Sequence, residues 1–315
     1  MSFKKELKRS ALYFFRKLPW VHQDSIYYFR KFRKLPNLRS PKVFNEKVLY
    51  RKFVSGDHEC YGRRSDKFLV REYIAAIIGE QYLIPLVHET TDPETLLTLP
   101  SWKGTVIKPN HGSSMVEVLL HEPSEQERKQ IVARCKQWLK TDFATVGREI
   151  HYRYIKPRIV VEQYIGDGHS APIDYKFHMF NKRDGTFDYV LQVIYNRFDG
   201  ALSMNFYVNN LTEAFHKIRD TGLDITPQME SLCQSLDLSK RLATDFDYVR
   251  VDWYIEDGRV WFGELTFTPG AGLVTGLDKG LNQLMGQMWI QDVKGSSGRL
   301  NPVGVTDTSG LFNNA

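Results

Sequence analysis

The sequence contains little cysteine and no long apolar run. Its three cysteines, Cys60, Cys135 and Cys233, are odd in number and far apart, so they fit neither a disulfide framework nor a zinc site. We therefore expect a protein of the reducing cytoplasm. No apolar run approaches the roughly 20 residues of a membrane-spanning helix. The apolar residues 11–15 end at Arg16, too soon for the core of a signal peptide.

Acidic residues are scarce at the start of the chain. Residues 1–42 hold twelve Lys/Arg and two Asp/Glu, a net charge of +10, whereas the remainder holds 31 Lys/Arg and 35 Asp/Glu, a net charge of −4. Because the main body is slightly acidic, we expect no nucleic-acid partner. The arm has two short helical patterns that mix aromatic and basic residues. They suit either peripheral docking at the anionic inner face of a membrane or packing on the main domain.

Apolar residues recur with both helical and strand periods, which predicts an α+β fold. Ser124 and Glu127 form a capping box that predicts the start of a helix. Further helices are predicted at 43–54, 65–78, 228–244 and 277–291, and strands at 82–87, 104–108, 115–120 and 158–165. We divide the chain into a basic helical arm (1–42), a helical or αβ region (43–102), a main domain with two lobes (103–165 and 166–292) and a flexible tail (293–315).

Four polar side chains lie on a predicted hairpin near the end of the main domain. Arg250 and Asp252 are two positions apart, as are Glu264 and Thr266, so each pair shares one face of its strand. Two facing carboxylates repel each other, and a hard cation such as Mg²⁺ relieves that repulsion. The many aromatic neighbours favour this covered metal site over a solvated charged surface.

The register of this hairpin decides whether the two pairs meet. A three-residue loop over 256–258 would pair Ile255 with Arg259 and bring all four side chains to one face, whereas a two-residue loop would not. Gly258 could supply the left-handed residue that the three-residue loop requires. We therefore predict the longer loop.

Two glycine-containing loops offer backbone donors. In VIKPNHGSSM (106–115), Lys108 ends a strand, and an unpaired buried ammonium would be costly there. A lysine beside Gly112, Ser113 and Ser114 suits a phosphate, although a simple turn is the alternative. In FTPGAG, the backbone around Gly270 could approach a substrate or an oxyanion.

The motifs VIKPNHGSS, VEQYI, RVD and ELTFTPG, in this order, resemble those of the ATP-grasp ligases, including D-alanine–D-alanine ligases. The pieces FNEK, SDKFLVREYI, IKPRIVVEQYI, DYKF, VRVDWY and GELTF are similar to the teichuronopeptide-biosynthesis (TupA-like) branch. The resemblance spans about residues 44–272. It implies an ATP-grasp fold, in which the nucleotide lies between two mainly antiparallel sheets, and it implies ATP and Mg²⁺ as cofactors.

The resemblance implies an ATP site built from several motifs. Lys108 would contact the α- and β-phosphates, and the backbone N–H groups of Gly112, Ser113 and Ser114 would close over them. The other residues implied on the nucleotide side are Arg71 as a second phosphate cation, Glu162, Gln163, Tyr164 and Ile165 as the adenine hinge, Asp167 as a ribose acid, and Asp174 on the strand beside the site.

The same resemblance implies a metal and catalytic group on the second lobe. Asp252 and Glu264 would hold Mg²⁺, with Thr266 at the position where the family usually has Asn, which puts a second metal ion in doubt. Arg250 would stabilise the oxyanion of a tetrahedral intermediate. Lys176 would face the γ-phosphate, with an outward-facing strand lysine as the alternative.

The acceptor side is less well marked in the sequence. Arg148, His151 and Tyr152 lie in a basic, aromatic segment that could bind an acidic sugar or serve as a structural connector, and Gly270 is a further substrate-side candidate. The resemblance implies a ligase that joins an amino acid to a uronic-acid or glutamyl carboxylate, with an acidic, lipid-linked glycan as one form of substrate. A phosphotransferase, a glycosyltransferase and a non-catalytic membrane-docking protein are the alternatives.

Overall fold

The computed structural model describes residues 13–168, 172–182, 184–196 and 202–291. Short single turns, including a π-helical turn Arg51–Ser55 and 3-10 turns such as Ile150–Tyr154 and Pro269–Gly272, connect the main elements. The helices are α1 (Trp20–Phe32), α2 (Phe44–Tyr50), α3 (His58–Ser65), α4 (Val70–Ile77), α5 (Glu125–Leu139), α6 (Ala144–Gly147), α7 (Met229–Ala243) and α8 (Lys279–Met288).

The strands form two antiparallel sheets. The first sheet has the order β1-β4-β2-β3 and the second has the order β10-β9-β5-β6-β7-β8. The strands are β1 (Leu86–Thr90), β2 (Thr105–Pro109), β3 (Glu117–Leu119), β4 (Ile159–Gln163), β5 (Asp174–Asn181), β6 (Phe187–Tyr195), β7 (Ser203–Val208), β8 (Ala214–Ile218), β9 (Tyr248–Glu256) and β10 (Arg259–Thr266).

Alternation along the strands of the first sheet separates its core from its polar face. Ile107 on β2 and Val161 on β4 are fully buried in a cluster with Trp102 and the apolar side of α5. The next residue on each strand, Lys108 on β2 and Glu162 on β4, therefore points to the opposite face. That face is the one that meets the second sheet across the cavity described below.

The second sheet is covered on both faces. One face packs against α4 and α7 in the largest apolar cluster of the described residues. The other face is covered at one end by α2 and α8, where the ring centroids of Phe44 and Trp289 are 5.8 Å apart. Beyond these helices, the same face carries the polar side chains of β5, β9 and β10 toward the first sheet.

The basic arm is partly packed on the body. On α1, Asp24 and Tyr28 are fully buried, and the Asp24 carboxylate forms an ion pair of 2.5 Å with the equally buried Lys52. Residues 1–12 of the predicted arm and the predicted tail at 293–315 lie outside the described residues. In the described part of the chain, no helix combines the length and apolar character needed to cross a membrane.

Several sequence predictions can be compared with these elements. The α+β class is confirmed, and the capping box of Ser124 and Glu127 opens α5. The strand predicted at 82–87 was placed wrongly, because Glu80–Tyr82 is a 3-10 turn and β1 begins at Leu86. Strands β7 and β8 were not predicted, since the period-2 signal in each is short. The three cysteines are free, as expected.

The predicted three-residue hairpin loop was wrong. Arg259 pairs with Glu256, so the turn has two residues, Asp257 and Gly258, with φ angles of 50° and 73°. Two successive left-handed residues are typical of the tight turn that matches the twist of the strands. The consequence for the polar side chains depends on a β-bulge further along β10.

Candidate active site

A cavity of about 380 Å³ lies between the two sheets. Its walls combine apolar side chains from the first sheet with charged side chains from both sheets. The predicted site residues that line it are Lys108, Gly112, Ser113, Ser114, Glu162, Gln163, Tyr164, Ile165, Asp174, Lys176, Asp252 and Glu264. The tertiary structure therefore brings together residues that are up to 156 positions apart in the sequence.

Lys108 has a carboxylate partner on the neighbouring strand. Its Nζ atom lies 2.5 Å from Oε2 of Glu162, and Arg71 lies 3.1 Å from Oε1 of the same side chain. Arg71 also donates to the carbonyl oxygen of Ile84 at 2.9 Å. Arg71 is outside the cavity lining and is placed to orient Glu162, and its contact with a phosphate stays a prediction.

The loop that follows β2 is held in place by an asparagine. The side chain of Asn110 is fully buried and donates to Asp66 at 2.9 Å and to the carbonyl of Lys156 at 3.0 Å. Its side-chain oxygen accepts from the backbone N–H of Arg158 at 2.9 Å. These contacts come from two separate segments, so they fix the start of the glycine–serine loop against the rest of the lobe.

The glycine in this loop has a packing role. A Cβ atom at Gly112 would lie 2.4 Å from the side chain of Met115 and 2.9 Å from that of Phe143. Ser114 adopts a left-handed φ of 64°. The close approach of the chain at Gly112 leaves no room for a side chain without movement of its neighbours.

The second wall carries two carboxylates that face each other. Asp252 on β9 is the direct partner of Glu264 on β10, and Arg250 is the partner of Thr266. The register changes between Phe262 and Glu264, which is a β-bulge. The bulge adds one residue to β10, which shifts the pairing of the two strands by one position beyond it and compensates for the two-residue turn. All four side chains therefore share one face, as predicted, although for a different reason.

Arg250 links this group of side chains. Its guanidinium donates twice to Asp252, at 2.6 Å each, and once each to Glu264 at 3.1 Å and to the hydroxyl of Thr266 at 3.0 Å. Although burial disfavours a charged guanidinium, the two carboxylates keep the pKa of Arg250 above its usual value. Arg250 is therefore a permanent positive charge beside the carboxylate pair.

Lys176 is the second cation on this wall. On β5 it is the direct partner of Asp252; it forms an ion pair with that carboxylate and another, of 3.0 Å, with Asp174. Burial raises the pKa of Asp252, but Arg250 and Lys176 outweigh this effect and lower it overall. The inward position of Lys176 excludes the alternative of an outward-facing strand lysine.

The chemistry of these oxygen donors fits one Mg²⁺ ion together with phosphate oxygens. Asp252 and Glu264 supply carboxylates, and Mg²⁺ usually binds one or two carboxylates plus substrate phosphates and water. No group of three or more His, Cys, Asp or Glu side chains with the arrangement of a metal site occurs within the described ranges. A site completed by the phosphates therefore fits better than one made by the protein alone.

Like Arg71, three further predicted residues on the nucleotide and metal side lie outside the cavity lining, namely Asp167, Arg250 and Thr266. Asp167 is exposed and lies near the last hairpin, where burial and the charge of Asp167 together raise the pKa of Glu256. It is absent from the cavity lining, and its role as the ribose acid stays a prediction. Thr266 is joined to the site through its hydroxyl, which contacts Arg250 and Glu264.

The predicted acceptor residues divide into two groups. Arg148 forms an ion pair with the buried carboxylate of Asp24, and His151 is buried, which lowers its pKa to about 3. Both predictions need correction, because the first side chain is committed to a structural ion pair and the second is neutral near pH 7. Neither is a free cation for an acidic sugar.

Tyr152 and Gly270 form the second group. Burial and the carboxylates of Glu149 and Glu264 raise the pKa of Tyr152. The effect of Glu264 means that this side chain lies within electrostatic reach of the carboxylate pair. Gly270 is exposed and opens three successive left-handed residues, with φ of 52°, 54° and 75° through Gly272. Their roles in substrate binding stay predictions.

The sequence reasoning missed Lys67. This lysine lines the cavity, donates to the carbonyl of Gly112 at 2.6 Å and lies 3.9 Å from Glu264. It thus contacts both walls, and burial lowers its pKa while Glu264 partly offsets that effect. Its signal was present in the SDKFLVR motif, where Arg71 was chosen instead.

Comparisons with known structures gave matches of low identity. A D-alanine–D-alanine ligase from Helicobacter pylori is 16% identical, with 71% of this chain and 61% of that chain covered and a TM-score of 0.44. An L-amino acid ligase from Bacillus licheniformis is 14% identical, with 72% and 46% covered and a TM-score of 0.39. The chain thus spans about three fifths or less of these two structures. A comparison with curated proteins gave no match.

The family assignment depends on a match to a family model rather than on these structures. The model described as TupA-like ATPgrasp matches residues 46–290. That range contains every residue of the cavity lining and the whole of both sheets. The protein therefore belongs to the TupA-like ATP-grasp family and has the ATP-grasp fold.

Proposed function

We propose that this protein is an ATP- and Mg²⁺-dependent ligase that joins a carboxylate to an amine through an acyl phosphate. The observation that carries the proposal is the convergence of three lysines and a carboxylate pair on one cavity. Lys67 and Lys108 come from the side of the first sheet, and Lys176 comes from the second sheet beside Asp252 and Glu264. Separated cations with a metal-binding pair are what a bound nucleoside triphosphate requires.

The two ends of the cavity suit the two ends of ATP. Apolar side chains of Ile84, Val106 and Val118 line the first-sheet wall, beside the segment 163–165. A flat base can be buried there, while its phosphates extend toward the lysines. Glu162 keeps Lys108 in place before the nucleotide binds, and its negative charge is compensated by Arg71.

The reaction then follows from the charge distribution. A carboxylate oxygen of the acceptor attacks the γ-phosphorus, the bond to the β-phosphate oxygen breaks, and ADP leaves. The amine nitrogen next attacks the acyl carbon, loses a proton, and expels orthophosphate. Arg250 would stabilise the oxyanion of the tetrahedral intermediate, and Lys176 would neutralise charge on the γ-phosphoryl group. Mg²⁺ held by Asp252 and Glu264 would supply further neutralisation of phosphate charge.

The acceptor we propose is a uronic-acid or glutamyl carboxylate of a surface polysaccharide, with an amino acid as the amine. The support is the order of motifs shared with the TupA-like branch. The loop Pro269–Gly272 begins three residues after the end of β10, and we propose that the backbone N–H groups of Gly270 and Gly272 face the acceptor. An acidic glycan is a long substrate, and the exposed position of Gly270 leaves this loop open to one.

The test follows nucleotide products with defined acceptors. The full chain is incubated with Mg-ATP, a panel of amino acids and a uronic-acid glycan, and ADP, phosphate and product mass are measured. Acceptor-dependent release of both ADP and phosphate, with a product mass gain of one amino acid less water, is expected. Phosphate retained on the product would indicate a phosphotransferase instead. Failure to bind ATP, or binding of a sugar nucleotide in its place, would overturn the proposal.

A further inference from the structure

Exposed apolar side chains are concentrated at the N-terminal end of the described chain. Six of the seventeen large apolar side chains that stand exposed in the described residues lie between positions 13 and 35. Isolated exposed apolar residues are ordinary, but a contiguous group surrounded by charge marks an interaction site. The six are Tyr13, Phe14, Leu18, Ile26, Phe29 and Leu35. Together with the basic residues between them in the sequence, they form a surface that we name the N-terminal surface.

The charge on this surface has a single sign. Residues 13–42 contain eight Lys/Arg, all of them exposed, and one acidic residue, Asp24. Asp24 is fully buried and is neutralised by Lys52 and Arg148. Every exposed charge of this segment is therefore positive, so the complementary partner is anionic.

Helix α1 carries apolar and basic side chains together on its outward face. Ile26, Phe29 and Arg30 follow the i, i+3, i+4 spacing that places residues on a single face, and Arg33 follows directly at the left-handed C-cap of the helix; all four are exposed. The opposite face carries the buried Asp24. The apolar and basic groups thus occur on the same outward face, as in helices that lie at a membrane interface.

Helix α1, which carries part of this surface, is tied to the body of the protein. The ion pair between Asp24 and Lys52 fixes the inner face of α1, and Lys31 donates to the carbonyl of Leu273 at 2.9 Å. Lys52 also donates to the carbonyl of Ala271 at 3.0 Å. The helix therefore lies between the outer surface and the loop beside the candidate active site.

We propose that the N-terminal surface docks on an anionic lipid bilayer. A nucleic acid or a free acidic polysaccharide would be bound by the positive charges alone and would leave Phe14, Ile26 and Phe29 without a function. An interface rich in anionic headgroups takes both groups, with apolar side chains at the acyl boundary and basic side chains among the headgroups. This inference does not depend on the proposed reaction.

Docking in this way would also bring the active-site loop to the membrane side of the molecule. The contacts of Lys31 and Lys52 with the carbonyls of Leu273 and Ala271 place α1 directly against that loop. An acceptor held in the membrane by a lipid would then reach the loop by extending past α1, a distance of about 10 Å.

The experiment uses the full chain and vesicles of two compositions. Cosedimentation is measured with equal parts of phosphatidylglycerol and phosphatidylcholine, and with phosphatidylcholine alone. A charge variant changes Lys17, Arg30 and Arg33 to Gln, and an apolar variant changes Phe14, Ile26 and Phe29 to Ser. Matched controls change exposed residues elsewhere, namely Lys103, Lys129 and Lys140 to Gln, or Val87 and Phe215 to Ser.

We expect binding to the anionic vesicles only. Each basic residue lost should lower vesicle affinity about fivefold, so the charge variant should lose roughly 100-fold. The apolar variant should also lose at least tenfold, while both controls bind as the unchanged protein does. Absence of binding by the unchanged protein, or equal loss in the charge control, would overturn the proposal. An apolar variant that binds normally would do so as well, because it would identify a soluble polyanion as the partner.

Discussion

Asp252 and Glu264 lie directly opposite each other on β9 and β10, on one face of the sheet. The two-residue turn that joins the strands would by itself put them on different faces, and the bulge beside Gly263 restores the match. A Cβ atom at Gly263 would lie 3.0 Å from the carbonyl oxygen of Asp252. The face-to-face position of the two carboxylates therefore depends on a backbone irregularity rather than on a regular hairpin.

Replacement of Asp252 should lower the folding stability more than replacement of Glu264 does. Asp252 is buried and paired with Arg250 and Lys176, so Asp252→Asn leaves two buried cations short of a partner and should cost about 3–5 kcal/mol of folding stability. Glu264 is 36% exposed at its side chain, so Glu264→Gln should cost less than about 1 kcal/mol. Urea unfolding of both variants measures the difference.

The same pair of variants separates structure from metal binding. Glu264→Gln should raise the Mg²⁺ concentration needed for half-maximal ADP release, with the folded state intact at working temperature. If Glu264→Gln leaves the Mg²⁺ dependence unchanged, Glu264 is not a ligand in the working enzyme. Glu256→Gln, on the same hairpin but at its far end, is the control.

Lys67→Ala should weaken ATP binding although it was not apparent from the sequence. The ammonium contacts the carbonyl of Gly112 and approaches the carboxylate of Glu264, so it lies between the glycine–serine loop and the carboxylate pair. Loss of one charge-assisted phosphate contact is expected to cost about 1.5–3 kcal/mol, or roughly 10- to 100-fold in affinity. Calorimetry with a non-hydrolysable ATP analogue measures this, with the exposed Lys103→Ala as control. Equal affinities for the two variants would contradict the assignment.

The buried ion pair of Asp24 and Lys52 should be needed for stability, in contrast to surface pairs. Lys52→Met leaves the buried Asp24 with Arg148 alone and releases two carbonyls, so a loss of about 3–5 kcal/mol is expected. Lys129→Met removes an exposed i,i+4 pair with Glu125 and should leave the unfolding free energy nearly unchanged. Chemical denaturation compares them, and similar losses would refute the structural role of Asp24 and Lys52.

Acid should destabilise the fold through two buried histidines. Burial, together with nearby positive charge, lowers the pKa of His151 and of His178 from 6.5 to about 3. The unfolded chain therefore binds protons below pH 6.5 that the folded chain does not bind until about pH 3, so stability is present above pH 6.5 and falls as the pH falls. Each histidine contributes a slope of up to about 1.4 kcal/mol per pH unit between these values.

Replacement of one histidine tests this assignment. His151→Gln removes one titrating group, so the fall in unfolding free energy between pH 6.5 and 4 should be smaller than in the unchanged protein. The exposed His22→Gln is the matched control and should keep the original slope. An unchanged slope in His151→Gln would show that this histidine is already protonated in the folded state.

Features that depend on residues close in sequence could be predicted from the sequence. The strand and loop around Lys108, the capping box at Ser124 and the face-sharing of Arg250 with Asp252 depend on residues close in sequence, so their patterns were readable. The choice of Arg71 over Lys67 was not decided locally. Both lie in one motif, and only their contacts with Glu162 and Gly112 separate them.

The acceptor segment shows the opposite case. Arg148 and His151 were sensible candidates for an acidic sugar, because basic and aromatic residues occur together there. In the structure, Arg148 is paired with Asp24, which lies more than 120 positions away, and the imidazole of His151 is buried. Neither can be inferred from a local pattern, since an ion pair between distant segments leaves no periodic signal.

The chemical groups of this protein can be listed from its amino acids alone. They are a lysine at a strand end, a glycine–serine loop, two carboxylates that each lie two positions from another polar residue, and an arm with almost no acidic residues. Which of these groups meet depends on the folding of the chain. The bulge at Gly263 set the faces of Asp252 and Glu264, and the packing of α1 turned its basic and apolar residues outward. The physical reason is that side-chain identity is local, whereas register, burial and ion pairing depend on contacts between segments far apart in the chain.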